Sequence, residues 1–292
     1  MHARQTVERR QLGLSLKRFR VAKGVSQAEL GRVIGQSDSR VSKVEDGTGT
    51  LNADQLTAAL DHLDVHGDDR KTVLELGARA RKRLRRSAND QQPYTDTLPG
   101  SFQRLADMEA DASAIHCYEP AVVPGLLQAP GYIRAVMRGG EGVFWEPSEA
   151  EIESRYLFRR NRQITTLEAE RPKKLEFVFT EDALNGYEGG EEVMREQSEH
   201  LLHLFKRYRN ITVQLLRVGD LRNPVATGGI AVLDFDGSAP KVAFATAAYG
   251  PSTYFDNKAD TDLLIRAFRK LQGLACDHAE SVELIHKKLM EA

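Results

Sequence analysis

The sequence predicts a mainly α-helical first domain followed by an α+β second domain. Up to about residue 76 the chain reads as short amphipathic helices separated by glycines and cap residues. Strand patterns begin only beyond residue 101. The charge is also divided. Residues 1–95 carry 18 Lys/Arg against 12 Asp/Glu, and the rest 23 against 30, within an overall net charge of −1. A basic head on an acidic body fits a polyanion-binding module joined to something else, although surface charge also varies for no functional reason. At 292 residues and 41% hydrophobic content the chain can bury two cores.

Several classes fall away on composition. No run nears the roughly 20 apolar residues of a membrane helix, and the longest candidate, "AVVPGLLQAP", is broken by proline and glycine. The start "MHARQTVERRQ" has charge without an apolar stretch behind it, unlike a secretory signal. Cys117 and Cys276 lie far apart with no CxxC spacing, so buried thiols in a reducing compartment are expected. The expectation is a cytoplasmic, nucleoid-associated protein with no membrane contact.

The first helix, in "RRQLGLSLKRFRVAKG", has Leu12, Leu16 and Phe19 at helical spacing and Gly24 as its stop. Ser26 caps a second helix through Ile34. A third runs from Ser37 to Gly47, Asn52 caps a fourth, and Asp68 or Asp69 opens a fifth. That fifth helix runs into a basic tract, six of eight residues from Arg79 to Arg86. The tract reads either as a solvated helix end or as a phosphate-contacting extension. "SANDQQPYTDTLPGS" is polar and proline-containing, which gives a boundary: 1–88 first domain, 89–100 linker, 101–292 second domain.

Beyond residue 101, "FQRLADMEADAS", "APGYIRAVMRG" and "EPSEAEIESRYLFRRNRQITTLE" read as helices, the last with Pro147 in its first turn. "GEEVMREQSEHLLHLFKRY", "TDLLIRAFRKLQGLA" and "AESVELIHKKLM" complete the helical set. "AIHCYE", "KLEFVFT", "ITVQLLRV", "GGIAVLDF" and "KVAFATA" read as strands, with Leu175, Phe177 and Phe179 alternating in the second. Successive strands with short turns predict a mostly antiparallel sheet flanked by helices.

The pair "SQAELGRVIGQSDSRVSKVEDG" carries the functional signal. Leu30, Val33 and Ile34 form one apolar side of the second helix, and Val41 and Val44 one side of the third. Gly31 faces the crossing and Gly35 the turn, where a positive φ is inexpensive without a Cβ. This is the pattern of a helix-turn-helix. With the valines inward, Ser39, Ser42 and Lys43 point away, Asp38 leads the exposed end and Arg40 flanks it. Small hydroxyls allow close approach to a duplex, and a Lys can reach guanine O6 and N7.

"VSQAELGRVIGQSDSRVSKVEDG" resembles the DNA-binding half of the Cro/cI (XRE) repressors, a five-helix domain, over about residues 12–65. The resemblance implies phosphate contacts by Gln27 and Ser37, and base-facing positions for Asp38, Ser39, Ser42 and Lys43. It also implies an Arg20–Glu45 ion pair tying helix one to helix three. Gln36 and Gly31 depart from the usual aliphatic residue and alanine. Asp38 either accepts from cytosine N4 or supplies a favourable charge at a helix N-terminus.

"YEPAVVPGLLQAPGYIRAVM", "RRNRQ", "VMREQSEHLLHL" and "ITVQLL" resemble the C-terminal domain of WhiJ-like regulators of actinobacteria, described as antitoxin-like. That resemblance implies a transcriptional regulator, commonly encoded beside a small partner protein. It supplies no catalytic residue. "YEPAVVPGLLQ" lines a cleft or interface, or is a rigid crossing. "YLFRRNRQ" presents Arg159, Arg160 and Arg162 to an acidic partner, or is a solvated face. His200 and His203 lie three apart on a helix, but without HExxH or a suitable carboxylate. No GxSxG, P-loop or GxGxxG is present. The sequence therefore predicts no enzyme, no metal and no cofactor. It predicts a homodimer that binds double-stranded DNA at a two-fold-related operator, probing half-sites about 34 Å apart. The competing expectations are an antitoxin-like module that neutralises a partner, and a small-molecule-sensing repressor.

Overall fold

The computed structural model describes residues 5–82, 93–97, 100–185, 189–237, 239–246 and 252–291. The basic tract beyond Lys82, most of the 89–100 stretch and Ala247 lie outside the described residues. In chain order the helices are α1 (Val7–Ala22), α2 (Gln27–Val33), α3 (Asp38–Glu45), α4 (Ala53–His62) and α5 (Gly67–Lys82). Then come β1 (Tyr94–Asp96), α6 (Ser101–Asp111), β2 (Ala114–Glu119), α7 (Pro130–Arg138), α8 (Glu149–Leu167) and β3 (Lys174–Thr180). The chain continues with α9 (Gly190–Arg207), β4 (Ile211–Leu216), β5 (Ile230–Asp234) and β6 (Val242–Ala245). It closes with β7 (Ser252–Phe255), α10 (Lys258–Leu274) and α11 (His278–Glu291). The fold is α-helical then α+β, as the sequence predicts, and its seven strands are mixed, mostly antiparallel and flanked by helices. Contacts divide the chain into two compact units. One comprises Met1–Asp111, Gly237–Phe244 and Tyr249–Thr261; the other comprises Ala112–Asp236, Ala245–Ala248 and Asp262–Ala292.

In the first unit each early helix starts on a side-chain cap. Thr6, Ser26 and Ser37 accept from the backbone N–H three residues on, and Asn52 forms a capping box with Gln55. Leu12, Leu16, Leu30, Ile34, Val41, Val44, Leu56, Leu60 and Leu76 share one apolar core. Val33 departs from the expected stripe and is 41% exposed. The reason is that α2 ends there; Ile34, in the cap position, turns inward instead.

The opposite side of α1 is also covered. Glu8, Arg9, Arg10, Gln11 and Ser15 are all buried. Gln11 Nε2 donates to Asp96 Oδ2 at 3.3 Å, Arg10 Nη1 to Asp111 Oδ2 at 3.0 Å, and Val7 N to Asp256 Oδ2 at 2.9 Å. Asp96 is clamped by Arg104 through Nε at 3.0 Å and Nη2 at 2.5 Å, with side-chain exposures of 0% and 4%. β1 pairs antiparallel with β7, and β7 neighbours β6. Tyr254 packs on Tyr94 and Phe244 with centroids at 6.1 and 5.1 Å.

In the second unit the strand order is β5-β2-β3-β4. β2 and β5 are antiparallel, while β3 is parallel to both β2 and β4, through crossovers carrying α7–α8 and α9. Being central, β3 is buried on both faces: Glu176 and Val178 are covered as well as Leu175, Phe177 and Phe179. Tyr118, Val178, Leu216 and Ile230 pack on Phe268 and Leu271 of α10. Ser148, not Pro147, sits at the start of α8 as its cap, and the proline in a first turn is Pro130 of α7. Cys117 and Cys276 form no disulfide among the described residues and are half-buried, not fully buried as expected.

Candidate nucleic-acid interface

α3 is positioned by close backbone approach at both ends. At its start, a Cβ on Gly31 would stand 2.7 Å from Gln36 O, and Gly35 takes φ +64° in the turn. At its end, a Cβ on Gly13 of α1 would overlap the carbonyl oxygens of Val44 and Glu45. Gly47, at φ +70°, lies against Arg10. The sequence shows Gly31 and Gly35, and Gly47 as the end of the third helix, but not the close approach of Gly13 to α3 or of Gly47 to Arg10. A glycine in mid-helix, which costs about 0.5–1 kcal/mol relative to alanine, was the available signal for Gly13.

Glu45 holds the pair of helices together electrostatically. Arg20 donates from Nε to Oε1 at 2.6 Å and from Nη2 to Oε2 at 2.9 Å, and its Nη1 reaches Val25 O at 2.8 Å. The hydrogen bond to Glu45 raises the Arg20 pKa further, against the opposing effect of burial. Gln27 Nε2 donates to Glu45 Oε2 at 2.7 Å, so its side chain is anchored inside the pair as well as half-exposed.

With Val41, Val44 and Glu45 buried, Ser37, Asp38, Ser39 and Lys43 are exposed, and Arg40 and Ser42 are half-buried. Each has a definite role in the helix. Ser37 Oγ caps Arg40 N at 3.2 Å, and Asp38 Oδ1 accepts from Ser39 N at 2.7 Å. Arg40 Nη2 is turned aside to Thr50 O at 2.6 Å, and Ser42 Oγ donates to Asp46 Oδ2 at 3.3 Å. Ser39 and Lys43 make no side-chain hydrogen bond among the described residues. The outward face is thus two available donors, a capping hydroxyl and one carboxylate already engaged by the helix N-terminus.

Arg159, Arg160 and Arg162 of α8 do not share one outward face. Arg159 Nη1 donates to Gln128 Oε1 at 2.7 Å, and Arg160 Nη1 to Gln163 Oε1 at 2.5 Å. Arg162 Nη1 lies 3.0 Å from where a Gly125 Cβ would stand, and all three residues are half-buried. His200 is half-buried and His203 exposed. Burial, then Arg160 and His203, hold the His200 pKa down at about 4. Among the described residues no group of three or more His, Cys, Asp or Glu could hold a metal ion, and no helix is long and apolar enough to cross a membrane.

No curated protein and no solved structure matches this chain. A family model described as a helix-turn-helix domain matches residues 11–73, the region built around α2 and α3, which points to DNA binding. A second model matches residues 102–287, well over half of the 292 residues. The chain therefore belongs to the family described as domain of unknown function DUF5753, with a helix-turn-helix domain preceding it.

Proposed function

We propose that this protein is a sequence-specific, DNA-binding transcriptional repressor of the XRE type, with a WhiJ-like second domain that binds a partner protein. The observation that carries the reading is the outward side of α3. Ser39 and Lys43 stand exposed on a helix whose other side is buried and whose ends are fixed by glycine contacts and by Glu45. A helix so held presents donors in a set geometry, which base readout requires. Gln27 and Ser37 contact phosphates at the edge of the groove, and Lys43 and Ser39 face bases. A single short helix makes few base contacts, so the working species is a homodimer on two half-sites about 34 Å apart.

Selection of bound sequences from a random duplex pool tests this directly. The expected product is a short site with two-fold symmetry. Recovery of unrelated sequences, or equal binding to all duplexes at low salt, rejects sequence recognition. Replacing Lys43 by Ala should cost about 1–3 kcal/mol and relax the selected sequence at one position in each half-site. A uniform weakening across sequences assigns Lys43 to phosphate instead.

A further inference from the structure

α8 has 19 residues, so it is about 28 Å long. Its inward side holds Ile152, Gln163 and Thr166, all buried, and Ile152 packs with Ile133 and Met137 of α7. Its outward side is unlike that of a solvated helix. Ala150, Ser154, Leu157, Asn161 and Ile164 are all exposed and follow one another at 4-3-4-3 spacing. This is the spacing of the a and d positions of a coiled-coil seam, which line up along one face. Leu157 is 52% exposed and Ile164 47%. Single exposed leucines are ordinary on protein surfaces. Two large aliphatics one heptad apart, in line with small residues and an asparagine, make the pattern of a helix–helix contact. The outward side of α5 gives the contrast: Asp68 pairs with Lys71 at 3.3 Å and Glu75 with Arg79 at 2.7 Å, as solvated charges do.

The charges of α8 are segregated along its length. Glu149, Glu151 and Glu153 come first, and Arg155, Arg159, Arg160 and Arg162 follow. The side chains of Glu149 and Glu153 are 82% and 50% exposed. Two copies of this helix running the same way would set acid against acid and base against base. Running opposite ways, they set the acidic start of each against the basic middle of the other. In the seam register that does so, Ala150 faces Asn161 of the second copy, Ser154 faces its Leu157, and Glu153 flanks its Arg160. Glu153 also holds Arg134 at 3.0 Å, so these charges fix direction more than affinity. The same register places Ile164 opposite Pro147 of the second copy, beyond the turn that carries Val143 and Phe144. Those two residues are 73% and 57% exposed. Their turn is fixed by Gly142 N donating to Trp145 O at 2.8 Å and Phe144 N to Gly140 O at 2.9 Å.

We propose that α8 is the surface through which two copies of this chain pair, with the helices antiparallel and Ser154 and Leu157 of each beside the two-fold axis. A two-fold axis requires one patch to complement itself, and acid and base at successive parts of one helix meet that requirement. The proposal rests on the reading of the protein as a homodimer and names the surface that makes it. A contact of one short helix per copy is small, so the dimer dissociates in about the micromolar range.

Sedimentation equilibrium of the full chain without DNA tests the surface. The parent should dimerise between about 1 and 100 μM, and Leu157→Asp should raise the dissociation constant at least about tenfold. Oxidative cross-linking tests the direction. A mixture of Ala150→Cys and Asn161→Cys chains should form a disulfide joining position 150 to position 161, and neither variant alone should link to itself. Peptide mapping separates this product from any that involve Cys117 or Cys276. Self-linking of either variant would show parallel helices and overturn the proposal, as would a parent still monomeric at about 100 μM. A dimer undiminished in Leu157→Asp, or one that lacks the 150-to-161 link, would overturn α8 as the interface and leave the homodimer standing. If Leu157→Asp fails to fold by circular dichroism, the cross-link decides.

Discussion

Glu45 has a side chain only 2% exposed and accepts from both Arg20 and Gln27. Removing its carboxylate leaves a largely buried guanidinium without its main partner, which costs about 3–5 kcal/mol in comparable pairs. Glu45→Ala should therefore lower the urea midpoint steeply, and Arg20→Ala should do the same. By contrast, Lys43→Ala should leave stability unchanged, because Lys43 is exposed and makes no ion pair among the described residues. The Glu119 carboxyl gives a pH signature. Its folded pKa, about 7, is raised above the ordinary 4.5, so the stability it contributes is complete below about 4.5 and is lost as pH rises through 7. His200 acts oppositely: held near 4, it contributes stability above about 6.5 that is lost as pH falls toward 4. Comparing the parent with Glu119→Gln between pH 5 and 8 isolates the first effect. The variant should lose less stability over that interval.

At the scale of elements, α3 is held by contacts that admit no side chain. Gly13→Ala would drive a methyl into the backbone of Val44 and Glu45, and Gly31→Ala would press on Gln36 O. Each should destabilise by about 1–3 kcal/mol and weaken DNA binding together with stability, as thermal melts and mobility shifts on the same samples would show. The helices and most strands of this chain were legible because caps and apolar spacing are local signals: Ser26, Ser37 and Asn52 announced α2, α3 and α4. β1 was not legible. Tyr94–Asp96 is three residues long, sits in a polar stretch, and is a strand only because residues 252–254 pair with it from far along the chain. The buried side of α1 was hidden for a related reason. Glu8, Arg9, Arg10 and Gln11 are polar and carry no apolar spacing, and the partners seen at this side of α1, Asp111 for Arg10, Asp96 for Gln11 and Asp256 for Val7 N, lie far along the chain. In the candidate interface, the outward positions of Ser39 and Lys43 follow from helical periodicity. The engagement of Gln27 by Glu45 and of Arg40 by Thr50 depends on rotamers that periodicity does not specify.

For the molecule as a whole, charge asymmetry gives a binding prediction. A dimer neutralising some six to ten phosphates should lose about 10³–10⁵ in operator affinity between 50 and 200 mM salt, measured by fluorescence anisotropy. A shallower slope would reduce the number of phosphate contacts in proportion. The composition of the first unit gives a second prediction. A fragment of residues 1–88 lacks Asp96, Arg104, Asp111 and the 249–261 segment, and so uncovers Arg10 and Gln11. It should melt well below the full chain and show rapid amide exchange in the first half of α1.

The presence of Tyr249–Thr261 in the same compact unit as α1 also bears on biosynthesis. Chains emerge from the ribosome N-terminus first and fold by units as these become complete. α3 leaves the exit tunnel early, but Asp256, whose carboxylate accepts from Val7 N at the start of α1, is translated 249 residues after Val7. A chain that stops before Asp256 is therefore denied a finished first unit, and only a chain extended past that residue acquires the packing that completes the start of α1.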